Sequence, residues 1–312
     1  MLGTAALAAC ASRSGHAAVT VTDGLGRQIS LASPPRRIVS LIGGAETQLI
    51  ALGIRTVGTN IVQRGFVARM GWLLGDSPQP PGVLSADMTP NPEAILALAP
   101  DLIIAWAIEH AEFFSRHVPV YVMRHIRTLA DLRGNLRALA TLVGREAKGD
   151  DVIAAFDRRL LAYARLSPRS ASLSVISQAG NRRFVIYAAN TMLTELLAHV
   201  SDTAAVAPRS RTGWIEGGIE TLHGLDPDAI VLVDWAPTPQ PDPPAALRSN
   251  RLWRDLRAVR NNRVVTVDGF EALTFQSIPT AARLIDTVAP RLHPGIFQTG
   301  LDEPRIAAAL GN

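Results

Sequence analysis

Two segments of the chain share one grammar. Glu93-Ala-Ile-Leu-Ala-Leu-Ala-Pro100-Asp101-Leu-Ile-Ile104 lies in the first half, and Glu220-Thr-Leu-His-Gly-Leu-Asp-Pro227-Asp228-Ala-Ile-Val231 in the second. Each reads as a short helix, a Pro-Asp stop and a buried strand, because Pro cannot extend a helix and biases its predecessor towards extended backbone. The same Glu and Pro-Asp offsets, once per half, predict two lobes of similar plan. A chain of 312 residues is long enough to give each lobe its own core.

The surrounding pattern extends that reading. Arg37–Leu41, Asp101–Trp106 and Val118–Met123 are β-like runs, separated by helix-period segments at Glu46–Leu52 and Glu109–Arg116. Strands apolar on both faces that alternate with helices argue for a parallel sheet covered by helices. Leu129, Leu132, Leu136, Leu139 and Val143 then follow three/four spacing. After a Gly144–Gly149 interruption, Val152, Phe156, Leu160 and Tyr163 do the same until Pro168. This predicts a long helix over about Asp150–Leu166. Strand-like runs resume at Ser172–Gln178, Phe184–Ala188, Asp228–Asp234 and Arg263–Asp268. The expected organisation is a leader and tether over 1–18, an N-terminal α/β lobe over 19–127, a helical linker over 128–168, and a C-terminal α/β lobe over 169–312.

Composition excludes several classes. With 47% hydrophobic and 19% charged residues the chain is globular rather than disordered. The net charge of +4 arises from scattered Arg, with only short pairs such as Arg36-Arg37 and Arg182-Arg183, so no basic groove for nucleic acid is expected. No Gly-x-Ser-x-Gly elbow, His-Glu-x-x-His or P-loop occurs, and Gly24-Leu-Gly26 leads into a β-like run as a hairpin turn does. No enzymatic activity and no resident cofactor are expected. His110, His117 and His125 stand seven and eight apart, a poor pattern for a direct metal site.

The single cysteine closes Leu7-Ala-Ala-Cys10, after a short apolar run that no basic residue precedes. The tetrapeptide resembles the bacterial lipobox, which implies lipidation of Cys10 and a body tethered to a membrane surface from the periplasmic side.

Several stretches, taken in order, carry a family resemblance. They are Val21-Thr-Asp-Gly-Leu-Gly-Arg-Gln-Ile29, Pro35-Arg-Arg-Ile-Val-Ser-Leu41, Ala45–Gly53 with Val57-Gly58, Leu252–Val265 and Leu292-His-Pro-Gly-Ile-Phe297. From about residue 19 to 297 the chain resembles the ABC-importer periplasmic binding proteins for iron complexes and cobalamin. Their fold consists of two Rossmann-like α/β lobes joined by a single long helix. The resemblance implies a carrier that delivers an iron complex, such as a ferric siderophore, to a permease dimer with its ATPase. Cobalamin, haem or a bare metal ion are the alternatives. It further implies that Glu93 and Glu220 dock the lobes onto the two permease subunits. As first-turn residues, both are equally suited to a helix dipole.

Ligand contacts are expected where the lobes face one another. Trp106 and Trp214 match aromatics that line the cleft in cobalamin-type relatives, and their flat faces suit a conjugated ligand. Arg64 and Arg211 would pair with an anionic ligand, with Phe270 and Glu271 and the loops 59–64 and 85–90 as further candidates. Haem-binding relatives place a Tyr in the loop that here reads Val83–Pro90 without one, which leaves Met88 or His110 as possible iron ligands.

Overall fold

The computed structural model describes residues 18–60, 70–75, 80–84, 89–168, 170–179, 183–202, 209–236, 242–274 and 276–311. Cys10, Arg64 and Met88 lie outside the described residues.

The chain opens with an antiparallel hairpin of β1 (Val19–Thr22) and β2 (Gln28–Leu31). Asp23 closes its turn: the buried carboxylate accepts the Leu25 and Arg27 N–H groups and the Arg27 guanidinium at 2.6 Å. Gly24 presses the turn onto the lobe, donating its N–H to the Val122 carbonyl. A Cβ there would meet the Met123 oxygen at 2.5 Å, so only glycine fits.

The first α/β unit follows as β3 (Ile38–Ser40), α1 (Gly43–Ala51), β4 (Gly58–Thr59), α2 (Gly71–Leu74), α3 (Pro92–Ala97), β5 (Leu102–Ala105), α4 (Ile108–Phe114) and β6 (Val120–Val122). Its four strands are parallel in the order β4-β3-β5-β6. The apolar runs bury both faces. Ile38, Leu102, Ile104 and Tyr121 point to one side, Val39, Ile103, Val120 and Val122 to the other.

Next come α5 (Leu129–Leu142) and α6 (Glu146–Leu166). Thr128 and Asp131 form a capping box at the start of α5. At 21 residues α6 is about 31 Å long, and it starts four residues before the expected Asp150. The reason is Gly149. Inside the helix, a Cβ at this position would meet the Ala140 methyl at 2.7 Å, so glycine serves a close α5–α6 crossing while Gly144, at φ +64°, makes the turn. The far end of α6 is fixed to the second unit. Arg159 pairs with Asp286 at 2.8 Å, and the Tyr163 hydroxyl donates to Asp286 at 2.6 Å while accepting the Leu301 N–H. Burial, followed by the Asp286 carboxylate, pushes the Tyr163 hydroxyl far above its ordinary pKa.

The second unit contains β7 (Leu173–Ala179), β8 (Arg183–Tyr187), α7 (Met192–Leu197), β9 (Trp214–Gly217), α8 (Ile219–Leu225), β10 (Ala229–Asp234), the short helices α9 (Ala245–Arg248), α10 (Arg251–Asp255) and α11 (Arg257–Arg260), and β11 (Val264–Asp268). A π turn (Phe270–Thr274), α12 (Ile278–Leu292) and α13 (Glu303–Leu310) complete the chain. The sheet order is β11-β10-β7-β8-β9. Here the structure departs from uniform strand/helix alternation: β11, β10 and β7 are parallel, but β8 and β9 run antiparallel to their neighbours. Only three residues separate β7 from β8, too few for the helical crossover that a parallel pair needs.

One apolar cluster runs from the inner face of the first sheet through α5 and α6 to the inner face of the second sheet and α12. Two smaller clusters cover the outer faces, and Trp253 is buried in one of them. The lobes therefore share a packed layer rather than a bare linker, and bending between them would open that core.

The duplicated unit is structural as well as sequential. Ala99 and Asp226, each just before the Pro, both adopt left-handed backbone, at φ +43° and +38°. Asp101 accepts the Arg36 and Arg37 N–H groups at 2.8 Å, and Asp228 accepts the Ser172 N–H and hydroxyl. An Arg from outside the unit, Arg37 or Arg257, caps the preceding helix carbonyls. The hydrogen bonds from Ser172, aided by Arg257 and Arg263, hold Asp228 below the usual carboxylate range.

Candidate ligand cleft

A cleft opens between the two sheets as two adjoining cavities of about 470 and 710 Å³. They share His125, Ile126, Leu273 and Gln276, which form the floor. These residues belong to two separate crossings, the segment after β6 that leads into α5, and the π turn with Gln276 ahead of α12. Gly44 seals the floor from the first lobe. A Cβ there would lie 2.7 Å from the Gln276 carbonyl oxygen.

The first wall comes from residues just past the strands: Leu41–Gly44 after β3, Asn60 after β4, Trp106 after β5 and Met123–Ile126 after β6. Side chains past the carboxyl ends of parallel strands are the expected position for ligand contacts. Trp106 is 62% exposed, touching His110 edge-on at 5.6 Å between centroids. Burial lowers the pKa of His110, and its Nδ1 has no partner among the described residues.

The second wall is partly a strand face. Val185 and Tyr187 of β8, the Asn190–Leu193 approach to α7, Arg211–Trp214 and Trp235 line it. Trp214 and Trp235 are 45% and 41% exposed. Trp235 sits against Gly269, where a Cβ would clash with its ring at 2.7 Å. Phe270 packs edge-on behind Trp235 at 5.4 Å rather than on the cleft surface. Burial raises the pKa of the Tyr187 hydroxyl.

Of the residues singled out from sequence, the fold brings Trp106, His110, Trp214 and Arg211 to this cleft. Glu271 lies elsewhere, in a clasp between the lobes. Its carboxylate accepts the Trp72 Nε1–H at 2.6 Å and pairs with Arg283 at 3.2 Å, while the Arg283 guanidinium lies over the Trp72 ring at 4.9 Å. Burial raises the Glu271 pKa against the pull of Arg283. Glu93 and Glu220 are exposed in the first turns of α3 and α8, and neither is ion-paired among the described residues. His117 is exposed and does not line the cleft. Among the described residues no three His, Cys, Asp or Glu converge on a metal position.

Sequence reasoning did not single out Tyr187, Arg124, Arg127 or Trp235 for the cleft. The rule that would have found Arg124, His125 and Arg127 is their position directly after β6. Tyr187 carries no comparable signal, because it reaches the cleft from the face of β8.

Two α/β units facing one another across an aromatic cleft, held by a shared helical layer, define a two-lobed ligand-binding protein. The periplasmic binding protein family profile matches residues 42–269, and the chain belongs to that family. YhfQ of Bacillus subtilis (strain 168), named as an ABC transporter substrate-binding lipoprotein, is 26% identical over 89% of this chain and 91% of its own length. YfiY of the same organism, named as a siderophore-binding lipoprotein, is 31% identical over 45% of this chain and 43% of its own. The fold is shared with FeuA of Bacillus subtilis, a triscatecholate siderophore binding protein solved with ferri-bacillibactin. That match has a TM-score of 0.71 at 21% identity and covers 88% of this chain and 98% of that one.

Proposed function

We propose that the chain is the extracytoplasmic substrate-binding subunit of an ABC importer, and that its cargo is an iron complex. The observation that carries this reading is the interlobe cleft, walled by Trp106, Trp214 and Trp235 and sized for a small chelate. The names of YfiY and of FeuA with its ligand support iron as the cargo metal. The protein holds and releases its ligand without converting it. Its units are the lobes 19–127 and 169–312 with the linker 128–168.

The ligand enters between the lobes, stacks on the Trp faces and is closed over by a small tilt. The core shared through α6 limits that tilt. The loaded protein then docks by Glu93 and Glu220, one exposed carboxylate per lobe, on the two halves of a permease whose ATPase drives transport. Two separated anions fix orientation and speed encounter. Cys10 carries the lipid that keeps the body at a membrane surface on the extracytoplasmic side, in keeping with the lipoprotein names of the relatives. No helix among the described residues is long and apolar enough to cross a membrane.

Iron uptake by cells lacking the gene tests this. The wild type restores uptake of a radiolabelled ferric chelate, and Glu93→Ala/Glu220→Ala abolishes it while the purified variant keeps its affinity. Equal loss of affinity and uptake would remove the two carboxylates from the docking role.

A further inference from the structure

Resting on the carrier reading, we infer that the ligand reaches this cleft as a net anion, an iron chelate presenting carboxylate or catecholate oxygens rather than a neutral or cationic one. The inference comes from which charges face the cleft. Its charged or titratable basic lining consists of His110, Arg124, His125, Arg127 and Arg211, and no Asp or Glu among the described residues joins them. Arg124, His125 and Arg127 sit within four consecutive positions of the floor, and Arg211 stands on the second wall.

The side chains of these three Arg are exposed and make no ion pair among the described residues. On α5 and α7 the carboxylates of Asp131 and Glu195 are engaged with backbone, while Glu109 of α4 stands next to His110 outside the cleft lining. Asp131 accepts the Arg127 and Thr128 N–H groups at 3.1 Å, and Glu195 accepts the Leu129 N–H at 2.7 Å. Several guanidinium groups elsewhere in the fold are paired with carboxylates, as in Arg133–Asp157, Arg159–Asp286 and Arg257–Asp226. Unneutralised Arg gathered at one concave site, without a carboxylate among the described lining residues, calls for the counter-charge to come from the ligand. The low-dielectric Trp walls strengthen that attraction, and closure of the lobes around a neutral or cationic chelate would leave the guanidinium groups desolvated and unpaired.

The test uses the purified full chain, titrated by tryptophan fluorescence and calorimetry with four probes. Ferric citrate and ferric tris(2,3-dihydroxybenzoate) are anionic, ferrioxamine B is cationic, and cyanocobalamin is neutral. Arg124→Gln/Arg127→Gln and Arg211→Gln are compared with the wild type, with thermal melts as the folding control. We expect at least one anionic chelate to bind about 100-fold more tightly than ferrioxamine B and cyanocobalamin. Each lost guanidinium should weaken it roughly tenfold, and raised ionic strength should weaken it further. The two anionic arms separate carboxylate from catecholate recognition. Should a variant fail to fold, the ranking of probes and the salt dependence of the wild type decide. Tighter binding of ferrioxamine B or cyanocobalamin, indifferent to salt and to the Arg substitutions, would overturn the charge assignment and leave the carrier reading standing. Absence of binding for all four would overturn the iron-complex reading itself.

Discussion

Removing the Trp106 ring separates a ligand platform from a core residue, since the two roles predict opposite losses. Trp106 is 62% exposed and, among the aromatic rings of the described residues, touches only the edge of His110. Of roughly 250 Å² on a Trp side chain, about 150 Å² is therefore open to the cleft, and a flat ligand covering one face would bury about 75 Å² of it. At about 25 cal/mol per Å², Trp106→Ala should weaken binding by about 2 kcal/mol, or about 30-fold in Kd. The folded state loses less. The already covered part of the ring, less what Ala retains and what the unfolded chain already buries, is worth about 1 kcal/mol. Calorimetric titration with the tightest-binding ferric chelate, alongside urea denaturation of the apo-protein, measures both. Unchanged affinity together with a stability loss above about 3 kcal/mol would show that Trp106 is core and that the cleft has been misread.

Two further predictions concern the frame around the cleft. Glu46 of α1 is 2% exposed and accepts the Thr56 hydroxyl at 2.9 Å, and burial pushes its pKa up to about 7. A carboxyl raised in the folded state favours folding while protonated, so its contribution is full below pH 4.5 and is lost as pH rises to about 7. Glu46→Gln should accordingly match the wild type near pH 5 and exceed it by about 1–3 kcal/mol at pH 8. Urea midpoints at the two pH values check this, and a gap that does not vary with pH would contradict it. Gly44→Val puts side-chain carbons within reach of the Gln276 carbonyl, which a Cβ alone already meets at 2.7 Å. A loss of about 1–3 kcal/mol with weakened chelate binding is expected; a variant as stable and as tight as wild type would show that the lobes do not close at this point.

Much of the frame was legible because it rests on local physics. Leu102–Ala105 and Ala229–Asp234 are apolar on both faces, and such runs have no stable place except a covered strand. The paired Pro-Asp stops announced two equivalent units, and the three/four spacing announced α5 and α6. Where sequence reasoning fell short, the deciding contact was distant. The start of α6 depends on the Ala140 methyl against Gly149, and the reversal of β8 on a connection only three residues long. Trp214 opens β9, and the pairing of its backbone with Tyr187 is a contact that its own sequence surroundings do not announce. The floor of the cleft was hidden altogether. It joins His125 and Ile126 to Leu273 and Gln276, about 150 positions apart, and nothing around either pair by itself distinguishes a cleft floor from a solvated loop. Trp235 was likewise not distinguished by its sequence surroundings; it lines the cleft from a seat against Gly269.

The central claim is that this protein captures an iron complex for import. Native mass spectrometry of the protein isolated from its own cells, with iron quantified on the same sample, tests that most directly. The account predicts one small organic chelator and one equivalent of iron per chain, released intact on denaturation. A bound species without iron, or a ligand recovered chemically altered, would contradict it.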